Sequence, residues 1–465
     1  MTIPFEQIPG PQMPKNLFGQ INSVRAFSDN LIKSFREAFA EHGDVVAMQP
    51  LGEKMVLFRH PDHIHEALVT KSKSLKKSRE YTDPKRGLAR FVGTGILTAN
   101  GDFWRRQRKQ VSPAFHTQRI TAYADAMVTA GDKMLSHWPV KGELDIAKEM
   151  MHVTLDIISG TISSVDLTAD ADRIDAAMDA INAYNGTFSV MPTWIPTPME
   201  LRVRQAVRDL DDVVYNMIAE WRKHGEDDGS LLSMLMLAED EDGNHMTDKQ
   251  IRDESVTLIL AGHETTANAL NWTFKLLSEN PDAEAKLHEE LDRVLQGRLP
   301  ELADLQELPY TDMVVKESLR LYPPAWGVSR EAVEDVEIGD YLVPKGALVS
   351  LNFFEMHHDG RWWDEPNAFR PERWSPENAE NINKHAYMPF GGGPRVCVGN
   401  AFAQMEANLL LATIAQRYSL TLTPGQVVIP DARITMYPRD GLPMIVEKRD
   451  VVVESHVNQA EAIPV

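Results

Sequence analysis

From Thr247 to Asn280 this chain of 465 residues runs without a proline. Thr247 and Gln250 stand three apart, the spacing of a capping box, and Asn280-Pro281 is a stop signal. About 33 residues at 1.5 Å each make a helix roughly 50 Å long, which crosses most of a domain. Such a helix has to lie at the centre of the fold with the other elements arranged around it. Its middle, Leu258-Ile-Leu-Ala-Gly-His-Glu-Thr-Thr-Ala267, passes from aliphatic residues to a glycine, an acid and two threonines. Glycine and paired threonines weaken a helix interior by up to about 1 kcal/mol each. Polar, poor helix formers in the middle of a core helix point to a site.

Elsewhere, helical patterns dominate from about residue 60 to 330. Prolines at 4, 9, 11 and 14 make the first thirty residues look irregular, and residues 27–42 read as an amphipathic helix ending at Gly43. Val45–Met48 and residues 54–58 read as a hairpin; residues 337–346 alternate around two turn signals, and 347–351 continue as a strand. The expected class is mainly α with a smaller β-rich part, at about 44–60 and 330–352. With no linker or internal repeat, residues 1–465 read as a single domain, and the polar end from 449 is expected to fray.

Charge and cysteine content narrow the function. A net charge of −20 argues against nucleic acid, which needs a basic footprint. The first fifteen residues lack the basic flank and apolar run of a signal peptide, and no stretch approaches the roughly 20 apolar residues of a membrane span. A single cysteine, Cys397, forms no internal disulfide and suits a reducing compartment. A bacterial-type cytoplasmic protein is expected.

Cys397 stands in Phe390-Gly-Gly-Gly-Pro-Arg-Val-Cys-Val-Gly399. Three readings compete: a buried small hydrophobe, a nucleophile working with a histidine, or an axial thiolate on heme iron. No protease-like signature surrounds it. Gly391, Gly392 and Gly393 let the backbone turn sharply and lie close to a flat partner. The run after Cys397 is a good helix, so the sulfur sits at a helix N-terminus, where free N–H groups are expected to lower a thiol pKa.

The loop resembles the heme-ligand loop of the cytochrome P-450 superfamily, F-x-x-G-x-R/H-x-C-x-G, at every fixed position. Glu317-Ser-Leu-Arg320 resembles that family's E-x-x-R pair, Phe369-Arg-Pro-Glu-Arg-Trp374 its F-x-P-E-R segment, and Phe103-Trp-Arg-Arg-Gln-Arg108 its W-x-x-x-R segment. The resemblance covers about residues 5–447. It implies the family's fold, with the long helix over heme b, and Cys397 as the iron ligand. It also implies an ion network of Glu317, Arg320 and Arg373 locking the proximal loop. Trp104, Arg108, Arg395 and Arg330 would hold the propionates, with Phe390, Gly391 and Gly399 shaping the loop. Ala261 and Gly262 would admit heme and dioxygen to the helix, Gly262 by lacking a side chain.

The resemblance makes Thr265 a hydrogen-bond donor to dioxygen and Glu264 a proton relay from solvent. Retention of both favours a monooxygenase using dioxygen and two electrons; the alternatives are peroxide-driven heme-thiolate oxidation and a heme sensor or carrier without turnover. One cysteine cannot hold an iron–sulfur cluster, and no flavin segment follows. A separate redox partner is expected, a ferredoxin or flavodoxin with its reductase, docking on Arg105, Arg106 and Lys109. The substrate pocket would draw on Phe91, Ile96, Leu97, Ile259, Ala261, Ala325, Val328 and residues near 185–195. These are apolar, so the substrate is an apolar small molecule of the fatty acid, terpene or steroid class.

Overall fold

The computed structural model describes residues 2–162, 170–185, 193–240 and 242–450. The expected central helix spans Asp248–Glu279, 32 residues. Its capping box is complete: Thr247 Oγ1 accepts from the Gln250 N–H, and Gln250 Oε1 accepts from the Thr247 N–H at 2.8 Å. Between Ile251 and Leu277 every residue is buried except Ala261, Gly262 and Thr265. Helices Ile146–Ile162, Pro198–His224, Pro309–Leu321 and Asn400–Ala415 surround it.

The β-rich part is a five-stranded sheet in the order Val45–Met48, Met55–Phe58, Leu348–Asn352, Gly327–Ala332, Leu75–Lys77. All neighbours are antiparallel except Met55–Phe58 with Leu348–Asn352, which run parallel. Two predicted segments thus lie side by side in space. Leu75–Lys77, too short to show a period, and the separate sheet of Lys141–Asp145, Pro443–Lys448 and Tyr418–Leu422 are not foreseen from the residue pattern.

The N-terminal expectation needs correction. The first thirty residues are not irregular throughout, because a helix spans Leu17–Asp29, and the next begins at Leu31 rather than at 27. Asn30 is the divider, its side chain accepting from the Lys33 N–H at 3.0 Å.

Arg320 is fully buried and uses all five of its N–H groups. It donates to Glu317 Oε2 at 2.9 Å and Oε1 at 2.7 Å, and to the carbonyls of His357, Pro366 and Ala368 at 2.8, 2.7 and 3.1 Å. Glu317 also accepts from Arg373 Nε at 3.1 Å, the Arg370 N–H at 3.1 Å and Trp374 Nε1 at 3.0 Å. His357 returns a nitrogen to Met388 N–H at 3.1 Å, which ties the network to the strand of chain entering the cysteine loop. Glu317, Arg320 and Arg373 are thus one buried cluster, not surface pairs.

A second buried acid has no cation beside it among the described residues. Glu406 faces the central helix from Asn400–Ala415, where the hydroxyl of Thr266 is its one polar neighbour and lowers its pKa less than burial raises it. Burial pushes its pKa up to about 8. The folded protein therefore holds a proton there that the unfolded chain has already lost above its ordinary value of 4.5. Stability should fall as pH rises toward about 8, by roughly 1 kcal/mol per pH unit for this one proton, and then level off. In Glu406→Gln the fall between pH 7 and 8 should shrink to the smaller remainder left by Glu254, whose pKa of about 7 makes it titrate mostly at lower pH. Denaturant midpoints across that window measure it, and an unchanged slope refutes the assignment.

Candidate active site

The cysteine loop is shaped by backbone packing. The Cys397 N–H donates to the Phe390 carbonyl at 3.0 Å, closing the turn. Gly393 has φ 65°, and a Cβ there would lie 2.1 Å from the Leu68 carbonyl oxygen, so only glycine lets the loop rest on the segment Glu66–Thr70. Gly391, at φ 70°, makes the preceding turn. Gly399 is the N-cap of Asn400–Ala415 and lies within contact distance of Phe115.

The thiol itself departs from expectation. Burial pushes the Cys397 pKa up, while the Gly399 N–H and the Arg108 guanidinium pull it down less strongly. The helix starts three residues after the sulfur, at Asn400, so its N–H groups do not outweigh desolvation. Cys397 nonetheless has exposed surface. Enclosure and exposure together mean that the sulfur looks into the interior of the protein, not toward bulk water.

Four cations gather beside it. Arg395 stacks over the Trp104 ring, 4.0 Å from its centroid, and donates to Ala99 O at 2.8 Å and Asn100 Oδ1 at 3.0 Å. Arg108, one turn beyond Trp104, donates to Val396 O at 3.0 Å. Arg330 is buried on its strand and pairs in register with Lys77 of the neighbouring strand. Lys77 is buried, and its backbone is bound on both sides by the Asn100 side chain. Desolvation depresses all four pKa values, that of Arg395 to about 10, and mutual repulsion adds to it for Lys77 and Arg395. No carboxylate pairs with any of the four among the described residues.

Buried cations without counter-ions are costly and call for an anionic guest. A flat group with two carboxylates and a metal that takes a thiolate fits this donor set. Heme b is such a group: Cys397 would take its iron, and Lys77, Arg108, Arg330, Arg395 and the Trp104 indole would hold its propionates. Sequence reasoning missed Lys77, since a lysine on a three-residue strand carries no motif; only its pairing opposite Arg330 reveals it.

On the central helix, Ala261 is exposed and Thr265 half-exposed on an otherwise buried stretch. Gly262 is not there to admit a ligand: a Cβ on it would meet Ile158 Cδ1 at 2.5 Å, so its bareness serves packing against Ile146–Ile162. Thr265 Oγ1 donates to Ala261 O at 2.6 Å, back along its own helix. Glu264 is buried, with its pKa raised by desolvation, and accepts from Asn182 Nδ2 at 2.9 Å and Thr435 Oγ1 at 2.8 Å. Its carboxyl does not open directly to solvent as the relay reading supposed.

Among the expected pocket residues, Ile96, Leu97, Ala325 and Val328 are half-buried, whereas Phe91 is fully buried against Tyr184 and Ile259 is buried in the main core. Those near 185–195 fall partly outside the described residues. A cavity of about 1170 Å3 lies between the helix Leu31–His42 and the five-stranded sheet, lined by Phe35, Met48, Tyr81, Trp326 and Val328. None of its lining residues belongs to the cysteine loop or the central helix. Arg105, Arg106 and Lys109 are exposed, Arg105 pairing with Asp102.

Lys77→Met should weaken heme retention about tenfold, the effect of losing one charge-assisted hydrogen bond. Heme transfer to apomyoglobin measures it, and an unchanged transfer rate removes Lys77 from the site.

Residues 9–441 match the family described as cytochrome P-450. The chain is 34% identical over 412 residues to cyclooctatin synthase of Streptomyces melanosporofaciens, covering 86% of this chain and 88% of that one. It is 33% identical to pentalenene oxygenase of Streptomyces avermitilis, over 87% and 90%, and to cyclooctat-9-en-7-ol 5-monooxygenase of S. melanosporofaciens, over 89% and 90%. The crystal structure of the cytochrome P-450DA heme domain superposes with a TM-score of 0.84 at 25% identity, covering 97% of this chain and 99% of that one. The thiol loop, the unpaired cations and these likenesses agree, and the chain belongs to the cytochrome P-450 family as a heme-thiolate monooxygenase with heme b as its cofactor.

Proposed function

We propose that the enzyme inserts one atom of dioxygen into a cyclic, terpene-type hydrocarbon, drawing two electrons from a separate ferredoxin or flavodoxin system. The observation that carries the chemistry is the central helix, where Ala261 and Thr265 break an otherwise buried stretch beside a buried acid. The terpene class is supported by the names of relatives about one-third identical along most of the chain. Half-buried apolar residues at Ile96, Leu97, Ala325 and Val328 suit such a ligand.

When bound, the heme supplies oxygen activation at an iron held by Cys397. The chain's own side chains handle the protons. Desolvation raises the Glu264 pKa, which favours its protonated form, and the carboxyl lies in a chain of polar groups with Thr435. Thr265 offers its hydroxyl at the exposed stretch once it turns from the Ala261 carbonyl. Arg105 and Arg106 present positive charge on the helix that carries Trp104 and Arg108, a surface suited to an acidic electron donor.

A panel of sesquiterpene and diterpene hydrocarbons should include one that shifts the Soret band from low to high spin. With a ferredoxin, its reductase and 18O2, that compound should gain one labelled oxygen. The double reversal Arg105→Glu with Arg106→Glu should slow reduction and flatten its salt dependence. A shift given by fatty acids and by none of the terpenes overturns the substrate class. Faster turnover with hydrogen peroxide alone than with the ferredoxin system overturns the electron source.

A further inference from the structure

The segment 93–98 carries two of the candidate pocket residues, Ile96 and Leu97, and it is fastened to the central helix by three consecutive charged residues. Arg252 Nη2 donates to Phe91 O at 3.0 Å. Asp253 Oδ2 accepts from the Thr94 N–H at 2.8 Å. Glu254 receives the Ile96 N–H on both oxygens, at 2.9 and 3.0 Å. The loop side is shaped to match. A Cβ on Gly93, where φ is 73°, would lie 2.0 Å from Asp253 Oδ1, and one on Gly95 would lie 3.0 Å from the Glu254 carboxyl.

The loop is also stiff within itself. Thr98 Oγ1 donates to Gly93 O at 2.7 Å and accepts from the Gly95 N–H at 3.1 Å. Its exit is held at the cation cluster, where Ala99 O and Asn100 Oδ1 receive Arg395. All three side chains of the clamp are buried. Arg252 is paired outward with Asp211 Oδ1 at 2.6 Å and inward with Asp253 Oδ1 at 3.1 Å. Glu254 has no such cation among the described residues: it spends its oxygens on one backbone N–H, and burial pushes its pKa up to about 7. A carboxyl kept buried at that cost for a single loop amide is there for the loop.

The geometry points to Asp253 and Glu254 as positioning residues that set the shape of the substrate pocket by fixing Ile96 and Leu97 against the central helix. They select which apolar substrate fits, without touching it. The inference rests on the reading that Ile96 and Leu97 face substrate.

Glu254→Ala and, from the loop side, Gly93→Ala test it in the heme-loaded protein; Glu254→Gln keeps one acceptor oxygen. Hydrogen exchange of residues 93–98 reports the clamp whatever the substrate is. Binding of imidazole and of 4-phenylimidazole, read at the Soret band, reports the pocket. Both disruptive variants should exchange the Ile96 amide at least about tenfold faster. Both should change the 4-phenylimidazole dissociation constant severalfold relative to that of imidazole, and Glu254→Gln should restore most of each value. Unchanged exchange at Ile96 overturns the clamp. Faster exchange with the ratio of the two dissociation constants unchanged overturns its role in selection. Failure of the proposed function shows separately, as no terpene shifting the Soret band of the unaltered protein.

Discussion

Lys77 and Arg330 are buried and Arg108 and Arg395 half-buried, with no carboxylate among the described residues to balance them. That imbalance is the constraint on which the site depends. An isolated buried cation is several kcal/mol less stable than a hydrated one, and four together repel one another. An anionic group completing the cluster would offset that cost, and its binding would then add to the stability of the fold. The thiol follows the same logic with opposite sign. Burial favours the Cys397 thiol, and a bound metal ion would be what draws it into the thiolate form.

The same chain shows how buried charge is handled where no guest is intended. Arg320 lies deeper still, yet all five of its donors are used and Glu317 accepts from four different residues. Breaking one partner of such a cluster costs about 3–5 kcal/mol. The contrast separates structure from function without reference to any relative. Satisfied charge holds the segment 357–374 against Pro309–Leu321, and unsatisfied charge gathers beside the cysteine loop. The two are neighbours along the chain, joined through His357 and Met388 at the entrance to the cysteine loop.

Features written in local residue chemistry were legible in the sequence. The capping box at Thr247 and the stop at Asn280-Pro281 delimit the long helix to within a residue. The cysteine loop and the motif at Glu317 named the family. What escaped depends on contacts between distant segments. Asn30 looks like an ordinary surface residue, and only its N-cap bond to Lys33 reveals a break in the N-terminal helices. Lys77 becomes a site residue through its register with Arg330. Gly262 suggested room for a ligand, but the atom it makes room for is on Ile158, more than a hundred residues earlier in the chain. Asp253 and Glu254 carry no motif of their own, and only the loop amides of Thr94 and Ile96 against them reveal what they hold.

The four residues after Ala261 each answer to a different neighbour, and this explains why the helix can be both rigid and reactive there. Gly262 receives Ile158, and His263 bonds to the Met151 carbonyl at 2.9 Å, kept neutral by burial that lowers its pKa to about 4. Glu264 is fixed by Asn182 and Thr435. Three of the four are thereby locked from outside the helix. Thr265 alone bonds within it, and its hydroxyl has a single proton, already given to Ala261 O. Exchanging that bond for one to another acceptor is nearly balanced, since a net hydrogen bond is worth only about 1 kcal/mol. The one group free to turn is the one at the exposed stretch, and the residues around it are fixed so that turning its hydroxyl moves nothing else.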